Sequence, residues 1–254
     1  MPRYFLELQY KGTEYHGWQI QHNGISVQQK LNEALSVFMA SNIETLGCGR
    51  TDTGVHALQF FAQFDCLENI ENAGKFIYHL NCILPADINL LALHNVNENV
   101  SARFDARSRS YIYLMHQHKN PFYKNLAAFI PKRLNLNIMN EAATELLRHN
   151  DFQCFSRTAT QVKSFDCTIT QTLFSIQNDL IRFDISANRF LRGMVRTIVG
   201  TLLMVGEERI TPIQFKEIIE SRDRRKAGQA VPPEGLYLSQ VIYPFIEPVK
   251  RNFF

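Results

Sequence analysis

Residues 47–56 are Gly47-Cys48-Gly49-Arg50-Thr51-Asp52-Thr53-Gly54-Val55-His56, a stretch with three glycines and no apolar period. Glycine lets a backbone approach a ligand closely. The carboxylate of Asp52 follows the guanidinium of Arg50 by two residues, and such a pair suits a nucleophile or base beside a phosphate-binding or charge-tuning group. On this chemistry alone, the favoured interpretation is that Asp52 caps the next turn and that Arg50 lies in solvent.

Patterns for metal and cofactor sites are weak in this chain. Asp52 and His56 are four residues apart, but no third ligand stands near them. The five cysteines are scattered without a Cys-x-x-Cys pair, so we expect free, mostly buried thiols. The sequence holds no P-loop, dinucleotide-binding, nucleophile-elbow or zinc-protease motif. We therefore predict no metal and no cofactor.

The segments around residues 47–56 alternate between strand and helix patterns. Residues 4–10 alternate in polarity, as in a half-buried strand. Ser26 with Gln29, and Thr211 with Gln214, predict helices that begin with a capping box. Further strands are predicted near 57–66, 88–96, 109–117, 168–176, 180–187 and 236–243, and helices near 73–83, 138–149 and 190–205.

Helices mixed with strands of alternating polarity favour an α+β fold over a doubly wound parallel sheet. We predict two sub-domains with largely antiparallel mixed sheets flanked by helices. The boundary is placed near residue 100. Residues 1–100 then carry the Asp52 loop, and residues 101–254 form a second sub-domain with a basic surface for RNA.

Basic residues are concentrated in the second half of the chain. Residues 1–100 hold 5 Lys or Arg and 10 Asp or Glu, whereas residues 101–254 hold 22 and 14. Basic and aromatic side chains interleave over residues 101–113, a pattern that suits RNA phosphates and unpaired bases. A solvated charged surface or a basic edge strand is the alternative interpretation.

The predicted helix 190–205 has a wide apolar face and an opposite face of arginines and glycines. That second face holds Arg189, Arg192, Gly193, Arg196 and Gly200. Arginines beside glycines allow an anion or a second backbone to approach. An ordinary surface face is an equally good interpretation of the same pattern.

The bulk composition, with 45% hydrophobic and 20% charged residues, is typical of a globular protein. No apolar run reaches the ~18–20 residues of a membrane span, and the first residues lack a signal-peptide pattern. We expect a cytoplasmic protein without a membrane partner.

Four segments and a tail, in this order, resemble the tRNA pseudouridine synthase A family. The most specific segment is Gly49-Arg50-Thr51-Asp52-Thr53-Gly54-Val55-His56-Ala57. The others are residues 10–21, residues 102–106 with 109–113, residues 190–196 with 198–202, and the tail 230–238. The likeness spans nearly the whole chain.

The resemblance implies the pseudouridine synthase fold and a cofactor-free enzyme that isomerises uridine to pseudouridine. In the family the targets are positions 38, 39 and 40 in the anticodon arm of tRNA. The resemblance also implies a homodimer.

Matched position by position, Asp52 falls on the family's catalytic aspartate, and Arg50 on the basic residue before it, which is expected to help hold the flipped-out nucleotide or to fill its space. Tyr111 falls on the tyrosine that packs against the target base, and Arg196 on the arginine that pairs with the catalytic carboxylate. We expect Asp52, Tyr111 and Arg196 to meet in one cleft. Weaker RNA contacts are expected at Arg103, Arg107, Arg109, Arg189 and Arg192.

The chain departs from the family's pattern at three positions. Thr53 follows the catalytic position where the family often has Ala, and Gly193 stands where His is frequent. Asp105 stands where Ser is frequent, and it adds a negative charge near the RNA.

Two other classes of protein compete with the synthase interpretation. A non-catalytic tRNA-binding or tRNA-folding module needs the basic strip and the aromatic residues, but not an Asp–Tyr–Arg set. A glycoside hydrolase needs two carboxylates about 5–10 Å apart, and no second acid stands in a motif here.

Overall fold

The computed structural model describes residues 1–157 and 164–247, which divide into two compact units. The first unit comprises Met1–Arg107 and the chain from Tyr237 onward, and the second comprises Ser108–Leu236. The sequence placed the boundary near residue 100 and the last strand in the second sub-domain. In the structure the last strand joins the first unit, because it pairs with a strand there and because Ile242 O accepts a hydrogen bond from Arg107 N.

Among its described residues, the first unit has a mixed sheet and two α-helices. Its strands follow the order β4-β1-β3-β9, and β2 pairs with β3. The elements are β1 Arg3–Tyr10, α1 Val27–Met39, β2 Leu46–Gly47, β3 His56–Asp65, α2 Ala73–Ile83, β4 Ile88–Val96 and β9 Leu236–Ile242. Strand β1 runs antiparallel to both β3 and β4, whereas β3 and β9 are parallel.

The first strand corrects the prediction of a half-buried strand. Phe5 and Glu7, on the face that was expected to be polar, are 0% and 1% exposed, and Leu6 and Leu8 on the other face are fully buried. Both faces of β1 are therefore covered, and its two edges pair with β3 and β4. Alternating polarity reported a strand correctly but did not report its central place in the sheet.

The two predicted capping boxes have different outcomes. At α1, Ser26 Oγ accepts a hydrogen bond from Gln29 N at 3.2 Å, but the Gln29 side chain donates to Glu33 instead of closing the box. Helix α5, Pro212–Ser221, begins with the complete box between Thr211 and Gln214.

The second unit has a sheet of order β5-β8-β7, with β6 paired to β5, and three helices among its described residues. Its elements are β5 Ser108–His116, β6 Ala128–Phe129, α3 Leu136–Thr144, β7 Ile169–Gln177, β8 Leu180–Ala187, α4 Met194–Gly206 and α5. Strand β8 is antiparallel to β5 and β7. The predicted α+β fold with largely antiparallel mixed sheets is confirmed.

Helix α4 begins later than predicted, at Met194 rather than at residue 190. Gly193 precedes it with a φ of 73°, a conformation that glycine adopts without steric cost. Arg189 and Arg192 therefore lie before the helix, so the predicted helical face of arginines is wrong for these two residues. No helix within residues 1–157 and 164–247 is long and apolar enough to cross a membrane.

Candidate active site

Asp52 begins a tight turn that leads into β3 in the first unit. Val55 N donates to Asp52 O at 3.1 Å, and Gly54 has a φ of 77° at the third position of the turn. Glycine is favoured at that position because it lacks a Cβ. Asp52 itself is half-buried. The turn thus places a carboxylate at a chain reversal immediately before a core strand.

The residue before Asp52 is fixed by both its side chain and its backbone. The hydroxyls of Tyr10 and Thr51 are 2.9 Å apart and buried, and Trp18 N donates to Thr51 O at 3.3 Å. The ring of Trp18 packs against that of Phe60 in β3 at a tilt of 30°, with ring centroids 4.2 Å apart. These contacts attach the Asp52 turn to the core of the first unit.

The backbone of residues 12–18 lies directly against the backbone of the Asp52 turn. Gly54 N donates to Tyr15 O at 3.2 Å. A Cβ on Gly17 would lie 2.3 Å from Thr51 O, and Gly17 also has a φ of 82°. A Cβ on Gly12 would lie 2.0 Å from Val55 O. These two glycines are therefore required by the close approach of the two segments.

His56 lies in the core at the start of β3. Its Nδ1 accepts a hydrogen bond from Gly12 N at 3.0 Å, and its ring stacks on Tyr237 with centroids 4.6 Å apart. Burial raises the pKa of Tyr237. His56 thus supports the turn through Gly12. Within the described part of the chain, no three His, Cys, Asp or Glu side chains form a cluster suited to a metal ion.

Arg50 occupies a more open part of the loop. Cys48 is anchored through its N–H to Phe61 O at 2.8 Å, and Thr51 is anchored as described above. Between them, a Cβ on Gly49 would meet nothing within 4 Å, and Arg50 is exposed. Arg50 is therefore exposed to solvent beside the Asp52 turn.

Tyr111 lies in β5 of the second unit, opposite Ile185 in the antiparallel pair with β8. Its half-buried ring packs edge-on against Phe190, with centroids 5.1 Å apart and an interplanar angle of 89°. Phe190 belongs to the segment 190–196 that carried the sequence resemblance. The contact orients the Tyr111 ring by packing.

Arg196 connects the first turn of α4 with the tail segment 230–238. Its Nε donates to Val231 O at 2.7 Å, and Val231 N donates to Arg196 O at 3.2 Å. One turn later, a Cβ on Gly200 would lie 1.8 Å from Gln229 O. Two segments that carried the resemblance separately therefore pack directly on each other.

The hydroxyl of Tyr113 donates to Pro232 O at 2.8 Å in the same region of the second unit. Burial raises the pKa of Tyr113, and the charge of Glu234 raises it further, whereas the charge of Arg196 lowers it. Tyr113 is thus a neutral, buried side chain near the charged groups of Glu234 and Arg196.

The predicted site residues are divided between the two units. Asp52 and Arg50 lie in the first unit with the exposed residues Arg103 and Arg107, and the remaining predicted residues lie in the second. The predicted residues in the second unit are Tyr111, Arg196, Arg109, Arg189 and Arg192. Of these, Arg109 donates to Asn188 O at 3.1 Å. The predicted meeting of Asp52, Tyr111 and Arg196 would join both units, and it stays a prediction.

Comparisons with known proteins identify the family. A family model described as tRNA pseudouridine synthase matches residues 142–244. A tRNA pseudouridine synthase A of Parabacteroides distasonis is 44% identical over 244 residues, which cover 96% of this chain and 97% of that protein. The chain belongs to the tRNA pseudouridine synthase A family. A protein of that name in Bacteroides thetaiotaomicron is 43% identical, and the match covers 99% of this chain and 96% of that protein. Another in a Thermoanaerobacter species is 37% identical, and the match covers 96% of this chain and 100% of that protein.

Membership of the family confirms the resemblance found in the sequence. The sequence nevertheless assigned no role to Tyr10, Tyr15 or Trp18, which hold the Asp52 turn in place. The only signal was that all three lie in the segment 10–21 that resembles the family's opening strand and loop. Their contacts with residues 51–54 are long-range, so no local periodicity could report them.

Proposed function

We propose that this chain isomerises uridine to pseudouridine at positions 38, 39 and 40 in the anticodon arm of tRNA, with Asp52 as the catalytic carboxylate. Isomerisation of uridine in tRNA follows from membership of the family. The observation that carries the assignment of Asp52 is the turn that it begins. Hydrogen bonds to Thr51 and Gly54 hold this turn in place, and the half-buried carboxylate lies between them.

The reaction requires little from outside the substrate. The bond from ribose carbon 1′ to uracil nitrogen 1 breaks, the base turns, and a bond from carbon 1′ to uracil carbon 5 forms. The hydrogen of carbon 5 leaves as a proton and nitrogen 1 gains one, so there is no net redox change. Asp52 either attacks carbon 1′, adds to the uracil ring or removes a ribose proton to give a glycal, and one carboxylate suffices for each route.

The target uridine must leave its stack, which costs a few kcal/mol. Tyr111 replaces part of the lost stacking, worth roughly 1–3 kcal/mol, and its packing on Phe190 supports that role. Arg50 holds the nucleotide from the first unit. A salt bridge from Arg196 would keep Asp52 ionised and oriented.

We further propose that the enzyme is a homodimer, as the family resemblance implies, and that it acts in the cytoplasm. The basic arginines Arg103, Arg107, Arg109, Arg189 and Arg192 would then contact tRNA phosphates, which makes binding depend on salt. Sedimentation of the purified protein at micromolar concentration tests the dimer, and a monomer there would contradict it.

The proposed substrate is tested by incubating the purified protein with unmodified tRNA and mapping pseudouridine along the product. We expect pseudouridine at positions 38–40. Modification confined to other positions would refute the anticodon-arm assignment. Tight tRNA binding without any pseudouridine would favour a non-catalytic tRNA-binding module, the alternative that the basic surface also fits.

A further inference from the structure

The connection between β4 and β5 contains one exposed aromatic side chain among basic residues. We call residues 101–105 the Phe104 loop. Phe104 is 77% exposed, and the guanidinium carbon of Arg103 lies 5.4 Å from the centroid of its ring. Arg107, two residues after the loop, is also exposed. The loop therefore presents an aromatic face beside cationic side chains.

The Phe104 loop is closed by its own hydrogen bonds. Ser101 N donates to Asp105 Oδ2 at 2.7 Å, and Asp105 N donates to Ser101 O at 3.1 Å. The carboxylate of Asp105, the one acid in this part of the sequence, is thus turned toward the loop backbone. This contact gives a structural reason for Asp at a position where the family frequently has Ser.

The base of the loop is anchored in the core of the first unit. Ala102 is 0% exposed, its N–H donates to Gln63 Oε1 at 2.9 Å, and its carbonyl accepts from the Tyr243 hydroxyl. A loop that is closed and anchored in this way holds Phe104 at the surface in one position. Preorganised aromatic residues bind with a smaller loss of conformational entropy than mobile ones.

We propose that the Phe104 loop is a second tRNA contact, in which an unpaired base stacks on Phe104 while Arg103 and Arg107 bind the adjacent phosphates. This inference rests on the proposed function, since it takes tRNA as the partner. Every base has a π-face, so stacking on an aromatic residue tolerates any base. Neighbouring arginines supply the phosphate contacts that single-stranded RNA requires.

The contacted base differs from the target uridine. Gln63, which anchors the loop, is seven residues along β3 from His56, the residue at the Asp52 end of the strand. At about 3.3 Å for each strand residue, this separation is on the order of 20 Å. The loop therefore holds a distant part of the same tRNA.

The experiment measures the affinity of the full-length protein for unmodified tRNA in four variants. Phe104→Leu removes the aromatic face but keeps an apolar side chain, and Phe104→Trp keeps an aromatic face. Arg103→Gln removes one cation. Tyr78→Leu is the matched control, because Tyr78 is a 66% exposed aromatic residue on α2 of the same unit.

We expect Phe104→Leu to raise the Kd for tRNA about tenfold, without a change in the salt dependence, and Phe104→Trp to restore affinity. Arg103→Gln should lower the slope of log K against log salt by about one. Tyr78→Leu should bind like the wild type. Melting temperatures should be unchanged in the Phe104 variants because the side chain is exposed.

Wild-type affinity in Phe104→Leu would overturn the proposal, and so would a loss of affinity that Phe104→Trp does not restore. A lower oligomeric state in Phe104→Leu would also overturn it, since Phe104 would then cover a second copy of the chain. Binding is measured without turnover. If the wild type bound tRNA but made no pseudouridine, the proposed function would fail while the test of the loop still stood.

Discussion

The hydroxyl of Tyr10, at the end of β1, lies 2.9 Å from the hydroxyl of Thr51, the residue immediately before Asp52. Both side chains are buried. The contact joins two segments that are 41 residues apart in sequence, and it fixes one end of the turn that presents the carboxylate. Placement of Asp52 therefore depends on Tyr10, a residue outside the proposed catalytic set.

We predict that Tyr10→Phe slows turnover about tenfold while leaving tRNA affinity unchanged. The variant loses the hydrogen bond to Thr51, so the carboxylate of Asp52 is less well positioned. A buried hydroxyl that loses its partner costs about 1–3 kcal/mol, so the free energy of unfolding should fall by that amount. Single-turnover rates, tRNA binding and urea unfolding together measure these effects.

The matched control is the double variant Tyr10→Phe with Thr51→Val, in which both hydroxyls are absent. Removing both hydroxyls leaves neither of them without the other, so the double variant should lose less stability than the sum of the two single variants. Fully additive losses would show that the two hydroxyls do not stabilise each other.

Asp52→Asn should abolish turnover and preserve tRNA binding, since the amide keeps the shape of the side chain but is neither a nucleophile nor a base. We expect a loss of about 10³-fold or more. The reaction releases the hydrogen of uracil carbon 5, so tRNA tritiated at that position gives a direct readout. Turnover at the wild-type rate would rule out Asp52 as the catalytic group.

Tyr111→Phe separates stacking from proton transfer. The substitution keeps the aromatic ring and its edge-on packing with Phe190 but removes the hydroxyl. If Tyr111 takes the proton from carbon 5, the variant should bind tRNA normally and convert it about 10²-fold more slowly. Tyr111→Leu provides the comparison, because it should weaken binding as well. An unchanged rate in Tyr111→Phe would limit Tyr111 to stacking.

Gly17→Ala and Gly49→Ala should differ sharply in stability. At Gly17 the new Cβ would lie 2.3 Å from Thr51 O, and the residue has a φ of 82°. We expect a loss of about 2–4 kcal/mol there. At Gly49 a Cβ meets nothing within 4 Å, so the free energy of unfolding should change by less than about 1 kcal/mol. Equal losses in urea unfolding would contradict the close approach at Gly17.

The cysteines should react with an alkylating reagent in an order set by burial. Burial raises the pKa of Cys154 to about 12 and that of Cys167 to about 11, whereas Cys82 is exposed. The thiolate is the reactive form, so a raised pKa leaves very little of it at pH 8. Mass spectrometry should find Cys82 labelled first and the other two labelled only after unfolding. Early labelling of Cys154 in the folded protein would contradict its burial.

The sequence by itself determined the features that depend on near neighbours. Helix α2 and strand β4 have the predicted bounds, because Pro85 and local periodicity define them. In β8, Ile181, Phe183 and Ile185 are buried as the alternation predicted. The four segments and the tail together also identified the family without any structure.

Only the tertiary structure decided the features that depend on distant partners. Both faces of β1 are buried, β9 pairs with β3 of the first unit, and residues 10–18 hold the Asp52 turn in place. Periodicity describes how a segment contacts its own neighbours in sequence. Which strands flank β1, and which loop crosses Thr51, follow from long-range pairing and packing, and these interactions leave no local pattern in the chain.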